Sequence, residues 1–228
     1  MSAPARTRRR AEVARDQNES AFASILAGLV ERVPGAKAAA FVDRQGETVD
    51  NSGRIDPFAM RLAAAHWRIV LDEMTRQRSF RSVRWLALRA GRASYLLHDL
   101  PEGYALIVVL ARAAGFFGWR RAVAACILAL GEEAGWTSSG PPWFPVQVIA
   151  DERRRPSSLR PAEGAPPRPI EVLGTLAGGL ARRERGWRVR FDTGVEATLV
   201  REPGGVWYSD EPPESRDREG GWSRKKRR

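Results

Sequence analysis

The chain has 228 residues, 43% of them hydrophobic and 8% aromatic, with a net charge of +11. That is enough apolar material for a packed core, which argues against wholesale disorder. One cysteine, Cys126, excludes a disulfide within the chain and a multi-cysteine zinc site, and no apolar run approaches the ~18 residues of a membrane helix.

The opening segment MSAPARTRRR lacks the apolar stretch of a signal peptide, which predicts a cytoplasmic protein. Lysine occurs only at Lys37, Lys225 and Lys226, so arginine supplies nearly all of the 38 basic residues. That skew points first to a GC-rich genome and second to selection for a polyanionic partner.

Residues 1–17 are polar and arginine-rich and predict a disordered basic arm. From Ser20 onward, Phe22, Ile25, Leu26, Leu29, Val30 and Val33 recur at spacings of three and four, one apolar stripe on a helix. Val33-Pro34-Gly35 ends it. Ala38–Val42 and Glu47–Asn51 predict a hairpin turning through Asp43-Arg44-Gln45-Gly46. Asp56 is a plausible N-cap with Pro57 at the first helical position. The helix that follows runs to about Arg76 and carries two apolar faces. Phe58, Leu62, Ala65 and Ile69 lie on one. Met60, Ala63, Trp67, Val70, Leu71 and Met74 lie on the other. Arg61, Arg68 and Asp72 form one flank, His66 and Glu73 the other. A surface helix normally has a single apolar face. Two opposed faces predict cover on both sides, one from the chain's own sheet and the other from more of this chain or from another protein.

Three strands in meander order are expected at Phe80–Ala90, Ala93–Asp99 and Tyr104–Ala111. The last is almost wholly apolar and suits a central strand. A final helix runs from about Trp119 to Glu133, with Cys126 on its apolar stripe. Residues 137–168 are rich in proline and arginine and predict a linker, with a short possible strand at Phe144–Ala150. Residues 169–212 predict a small antiparallel β module with strands at Ile170–Ala177, Trp187–Phe191, Val195–Val200 and Val206–Ser209. It is marginal for independent stability. Residues 213–228 form a basic tail.

The order in residues 18–136 is α-β-β-α-β-β-β-α. Its first half, from Ile25 through Val33-Pro34-Gly35 and Ala38–Val42 to Asp43-Arg-Gln-Gly46, resembles the roadblock (dynein light chain) family. The resemblance covers about half the chain and rests on the order and spacing of all the elements together. It implies an α+β sandwich around a five-stranded antiparallel sheet. Family members are typically dimers in which the second helix and third strand meet their counterparts. They act as non-catalytic platforms, some of them for Ras-like small GTPases. The resemblance does not extend to the arm, the linker or the C-terminal β module.

With that resemblance in hand, Met60, Ala63, Trp67, Val70, Leu71 and Met74 are the expected dimer interface, internal burial being the alternative. The expected function is a non-enzymatic, cytoplasmic homodimer that scaffolds or regulates a Ras-like small GTPase in a bacterium, without a cofactor. The alternative is a nucleic-acid-binding adaptor in which Arg224, Lys225, Lys226, Arg227 and Arg228 contact a polyanion together with the β module. Such a tail can equally be solubilising. No G-x-x-x-x-G-K-[ST] motif is present. His66 and His98 have no partner at ligand spacing, and Cys126 fits a buried small hydrophobe better than a nucleophile. Trp207 and Tyr208 alternate, so one of them should face outward, either into an inter-domain contact or towards a stacked ligand.

Overall fold

The computed structural model describes residues 20–81, 83–116, 118–136, 142–161 and 164–213. The predicted basic arm and tail, including Arg224, Lys225, Lys226, Arg227 and Arg228, lie outside the described residues. The first unit runs α1 (Ala21–Arg32), β1 (Ala36–Val42), β2 (Thr48–Gly53), α2 (Pro57–Arg76), β3 (Trp85–Arg89), β4 (Ala93–Asp99), β5 (Ala105–Ala111) and α3 (Arg120–Ala134). The strands form one five-stranded sheet in the order β2-β1-β5-β4-β3, antiparallel throughout. This is the roadblock-like α+β architecture expected from the sequence.

Local chemistry explains the element ends. The Ser20 hydroxyl accepts from the Ala23 N–H at 3.0 Å and caps α1. It also donates to the Asp50 carboxylate, tying the helix start to β2. Asp56 caps α2 by accepting from the Ala59 N–H at 3.0 Å, and Pro57 opens the helix where its missing donor costs nothing. In the β1–β2 turn, the Asp43 carboxylate accepts from Gln45 N and Glu47 N, each at 2.9 Å. Gly46 completes that turn at φ +87, a region closed to most side chains.

Strand alternation sends side chains to two cores. Ala39 and Phe41 of β1, with Leu106, Val108 and Leu110 of β5, pack against α1 and α3. Ala38, Ala40 and Val42, with Ile107 and Val109, pack against α2. β5 is therefore covered on both faces, as its apolar run predicted. β3 is shorter than expected: Arg78–Phe80 is a 3-10 turn, and the strand begins only at Trp85.

The C-terminal part departs from the predicted organisation. β6 (Phe144–Ala150), β7 (Pro156–Arg160), β8 (Arg168–Thr175), β9 (Arg185–Phe191), β10 (Glu196–Arg201) and β11 (Trp207–Ser209) close into a six-stranded barrel in which every neighbour is sequential and β11 returns to β6. The segment expected to be a linker thus supplies two of its strands. The reason is closure. Four strands would leave two open edges, and β6 and β7 cover them while adding Val146, Val148 and Leu159 to a core of Trp187, Val189, Phe191, Ala197, Leu199 and Trp207.

The barrel is joined to the sheet unit through α3. On β11, Trp207 points into the barrel while the adjacent Tyr208 is fully buried among the α1/α3 core residues. Trp143 and Val206 pack against the same core. The Arg121 guanidinium of α3 reaches Glu184 at 2.8 Å and Glu202 at 3.0 Å, and lies 4.7 Å from the ring centre of Trp143. Of the two readings of the Trp207–Tyr208 pair, the outward residue makes an inter-domain contact.

Candidate interaction surface

α2 is the element on which an interaction site was expected, and the structure decides which of its faces is free. Met60, Ala64, Arg68 and Leu71 are buried against the sheet. Small alanines on both sides, Ala64 on the helix and Ala38 and Ala40 on β1, form this contact. Arg68 is only 6% exposed, which is unusual for a helix flank. It pairs with Asp72 at 2.5 Å one turn on, and reaches Asp99 at 3.5 Å and the Tyr104 carbonyl at 3.4 Å. Arg84 approaches the same Asp99 at 3.4 Å. A charge-bearing residue is thus accommodated beneath the helix because its head is paired there.

The assignment of the two apolar faces is therefore reversed for part of the predicted interface. Met60 and Leu71 belong to the protomer's own core and are unavailable to a partner. Ala63, Trp67, Val70 and Met74 are half-buried. Trp67 packs on Tyr95 with ring centres 4.7 Å apart. The free face carries Phe58, Leu62 and Ile69, which are 68%, 63% and 61% exposed. With Ala65 they run at spacings of four, three and four. That is the seam by which one helix meets another. The sequence showed this stripe but not that it faced outward.

β3 extends the surface. It ends the sheet, with β4 as its one neighbour, so its outer backbone groups are unpaired by the sheet. Leu86 and Leu88 are half-buried on the α2 side of this edge. On the other side Trp85 is exposed, edge-on to Trp119 at 5.1 Å, with Arg120 stacked over it at 5.2 Å. Among the described residues, the exposed helix seam and the open strand edge are both left without a partner.

Two titratable groups of the sheet unit are shifted by burial. Burial pushes the Cys126 thiol up to about 12, so thiolate is scarce at neutral pH. Burial lowers His98 to about 4, against the weaker opposing effect of a backbone hydrogen bond at Asp99. Among the described residues, no cluster of His, Cys, Asp and Glu is placed to hold a metal ion, and no helix is long and apolar enough to cross a membrane.

No family model matches the chain, and no curated protein does. Solved structures are similar over about half of it. A Roadblock/LC7 domain from Streptomyces avermitilis matches at 19% identity and a TM-score of 0.43, covering 50% of this chain and 97% of that one. Myxococcus xanthus MglB matches at 12% identity and a TM-score of 0.44, covering 52% and 98%. The gliding protein MglB from Thermus thermophilus matches at 14% identity and a TM-score of 0.43, covering 50% and 89%.

Proposed function

We propose that the chain is a non-catalytic adaptor of roadblock type, a homodimer whose platform scaffolds or regulates a Ras-like small GTPase in the cytoplasm. The observation that carries the reading is the apolar seam Phe58-Leu62-Ala65-Ile69 on α2, together with the open edge of β3. Exposed apolar surface of this kind marks an interaction site. A helix seam and a strand edge are also the two features a second copy can satisfy at once: a two-fold axis sets helix against helix and pairs edge with edge. The GTPase part follows from the resemblance of residues 25–46 and the element order to the roadblock family. The mechanism is binding alone. A partner's switch segments are held in one arrangement by differential affinity, with no bond made or broken by this chain.

The test is a pull-down from native lysate with the tagged full-length protein, run in parallel with GDP and a non-hydrolysable GTP analogue and read by mass spectrometry. A small GTPase enriched in one nucleotide state supports the reading. Enrichment that ignores the nucleotide, or nucleic acid that washes off with salt, removes the GTPase from it.

A further inference from the structure

The barrel carries a second site, unrelated to the α2 seam. Two loops meet at one end of it: the β6–β7 turn and the long β8–β9 connection. Between them is a cleft of about 540 Å³ lined by Arg153, Arg154, Arg155, Arg183 and Arg185, with Leu176, Leu180 and Trp187 forming an apolar wall. That volume is in the range of small-molecule sites. All five arginines are exposed. Three arginines on the barrel wall are paired instead, Arg188 and Arg190 with Glu196, Arg190 also with Glu171, and Arg168 with Asp192. Among the described residues, no carboxylate pairs with the cleft arginines. Glu184 also lines the cleft, but its carboxylate is turned to Arg121 and to the Ala181 N–H. The cleft sets five arginines against Glu184, with Asp151 and Glu152 on the same β6–β7 turn, and an anion relieves the like-charge repulsion that remains.

The backbone gives an independent sign. Only three residues other than glycine among those described have positive φ, and two of them are Arg154 at +60 and Arg183 at +74. They sit on opposite loops of the same cleft. This conformation costs an L-residue roughly 1 kcal/mol or more, and glycine would avoid the cost. Arginine held there at two places points to a use for the guanidinium.

The geometry points to a binding site for a nucleoside polyphosphate, with its phosphates held by Arg154, Arg183 and their neighbours and its base against Leu176, Leu180 and the edge of Trp187. Guanidinium forks match phosphate oxygens in pairs, which suits arginine over lysine. The convergence of the five on one cleft favours a compact polyanion over the extended track that a nucleic-acid strand follows.

The experiment is isothermal titration of the purified full chain with ATP, with inorganic triphosphate and with a short oligothymidylate. The wild type should bind ATP saturably, one per chain, and more tightly than either of the other two. The double variant Arg154→Gly, Arg183→Gly removes both side chains where glycine adopts the backbone freely, so its far-UV spectrum and melting temperature should be retained. Its ATP affinity should fall roughly 10- to 100-fold, the loss of charge-assisted hydrogen bonds. Should that variant not fold, Arg153→Gln with Arg155→Gln asks the same question without touching a strained residue. Absence of saturable ATP binding, full affinity in a folded variant, or tighter binding of the oligothymidylate or of triphosphate would each overturn the assignment. The purified chain is titrated without any GTPase, so the outcome is independent of the adaptor reading.

Discussion

Replacing Leu62 by Glu separates the dimer from the protomer. Leu62 is 63% exposed, with Phe58 and Ile69 to either side of it on the seam, and it is absent from both cores of the sheet unit. The protomer should therefore tolerate the charge. Burying a leucine side chain completely is worth about 1.5–3 kcal/mol, so sealing the exposed two-thirds of Leu62 against a second copy is worth roughly 1–2 kcal/mol. A two-fold interface counts each substitution twice, which makes the lost burial about 2–4 kcal/mol per dimer. Two glutamates brought near the same axis add like-charge repulsion and desolvation, roughly another 1 kcal/mol or more. The dimer Kd should rise on the order of a hundred- to several-thousand-fold. Sedimentation velocity over a concentration series reads the Kd, and far-UV circular dichroism confirms an intact fold. A wild type that remains monomeric at high concentration, or a Leu62→Glu dimer with unchanged Kd, refutes the assignment of this face.

Arg121 and its two carboxylates give a contrast. Arg121→Met leaves Glu184 and Glu202 buried without a cation and should cost about 3–5 kcal/mol in urea unfolding. Burial raises Glu202 above the ordinary carboxylate value, the Arg121 hydrogen bond opposing it. A raised carboxylate stabilises most when protonated, and that contribution is lost as pH rises through the folded value. Glu202→Gln, which keeps an acceptor for Arg121, should thus be neutral or stabilising at pH 7, and urea midpoints measured from pH 4.5 to 8 should lose that slope. His98 has the opposite sign. Its folded value of about 4 against the ordinary 6.5 means stability is full above 6.5 and falls towards 4. The wild type should lose roughly 3 kcal/mol more than His98→Gln between pH 7 and 4, by the same urea assay. Gly131→Ala gains up to about 1 kcal/mol of helix propensity. Its Cβ, however, would stand 2.6 Å from Nε1 of Trp136, whose ring is held by Phe41 and Tyr104. Overpacking of about 1–3 kcal/mol should win, and the melting temperature should drop.

The order of elements in the sheet unit was legible because each has its own punctuation: the Asp56-Pro57 start, the Asp43–Gly46 turn, and the apolar run of β5. Which face of α2 meets the sheet was not legible. Both faces carry enough apolar residues, and the deciding contact places Arg68 underneath, where composition alone would put it in solvent. Its burial depends on Asp99 and the Tyr104 carbonyl, more than 30 residues away. The i, i+4 spacing of Arg68 and Asp72 in line with Met60, Ala64 and Leu71 was the one local sign of it. β7 was missed for another reason. Pro-Ser-Ser-Leu-Arg has no clean alternation, and its strand state comes from pairing with β6. The arginine cleft was invisible for the same topological reason, since the barrel must close before residues 153–155 and 183–185 face each other.

Tyr208 has a bearing on how this protein is divided. The covalent boundary falls near residues 137–141, but Tyr208 places a side chain from the last strand inside the first unit's core. A fragment ending at residue 136 would carry an empty seat in the α1/α3 core and an Arg121 stripped of both carboxylates. A vacated aromatic site costs several kcal/mol, about 3–5 when the surroundings do not collapse. The two halves should melt in one transition. A graft of this barrel onto another sheet unit has to bring Arg121 and the Tyr208 seat along with it.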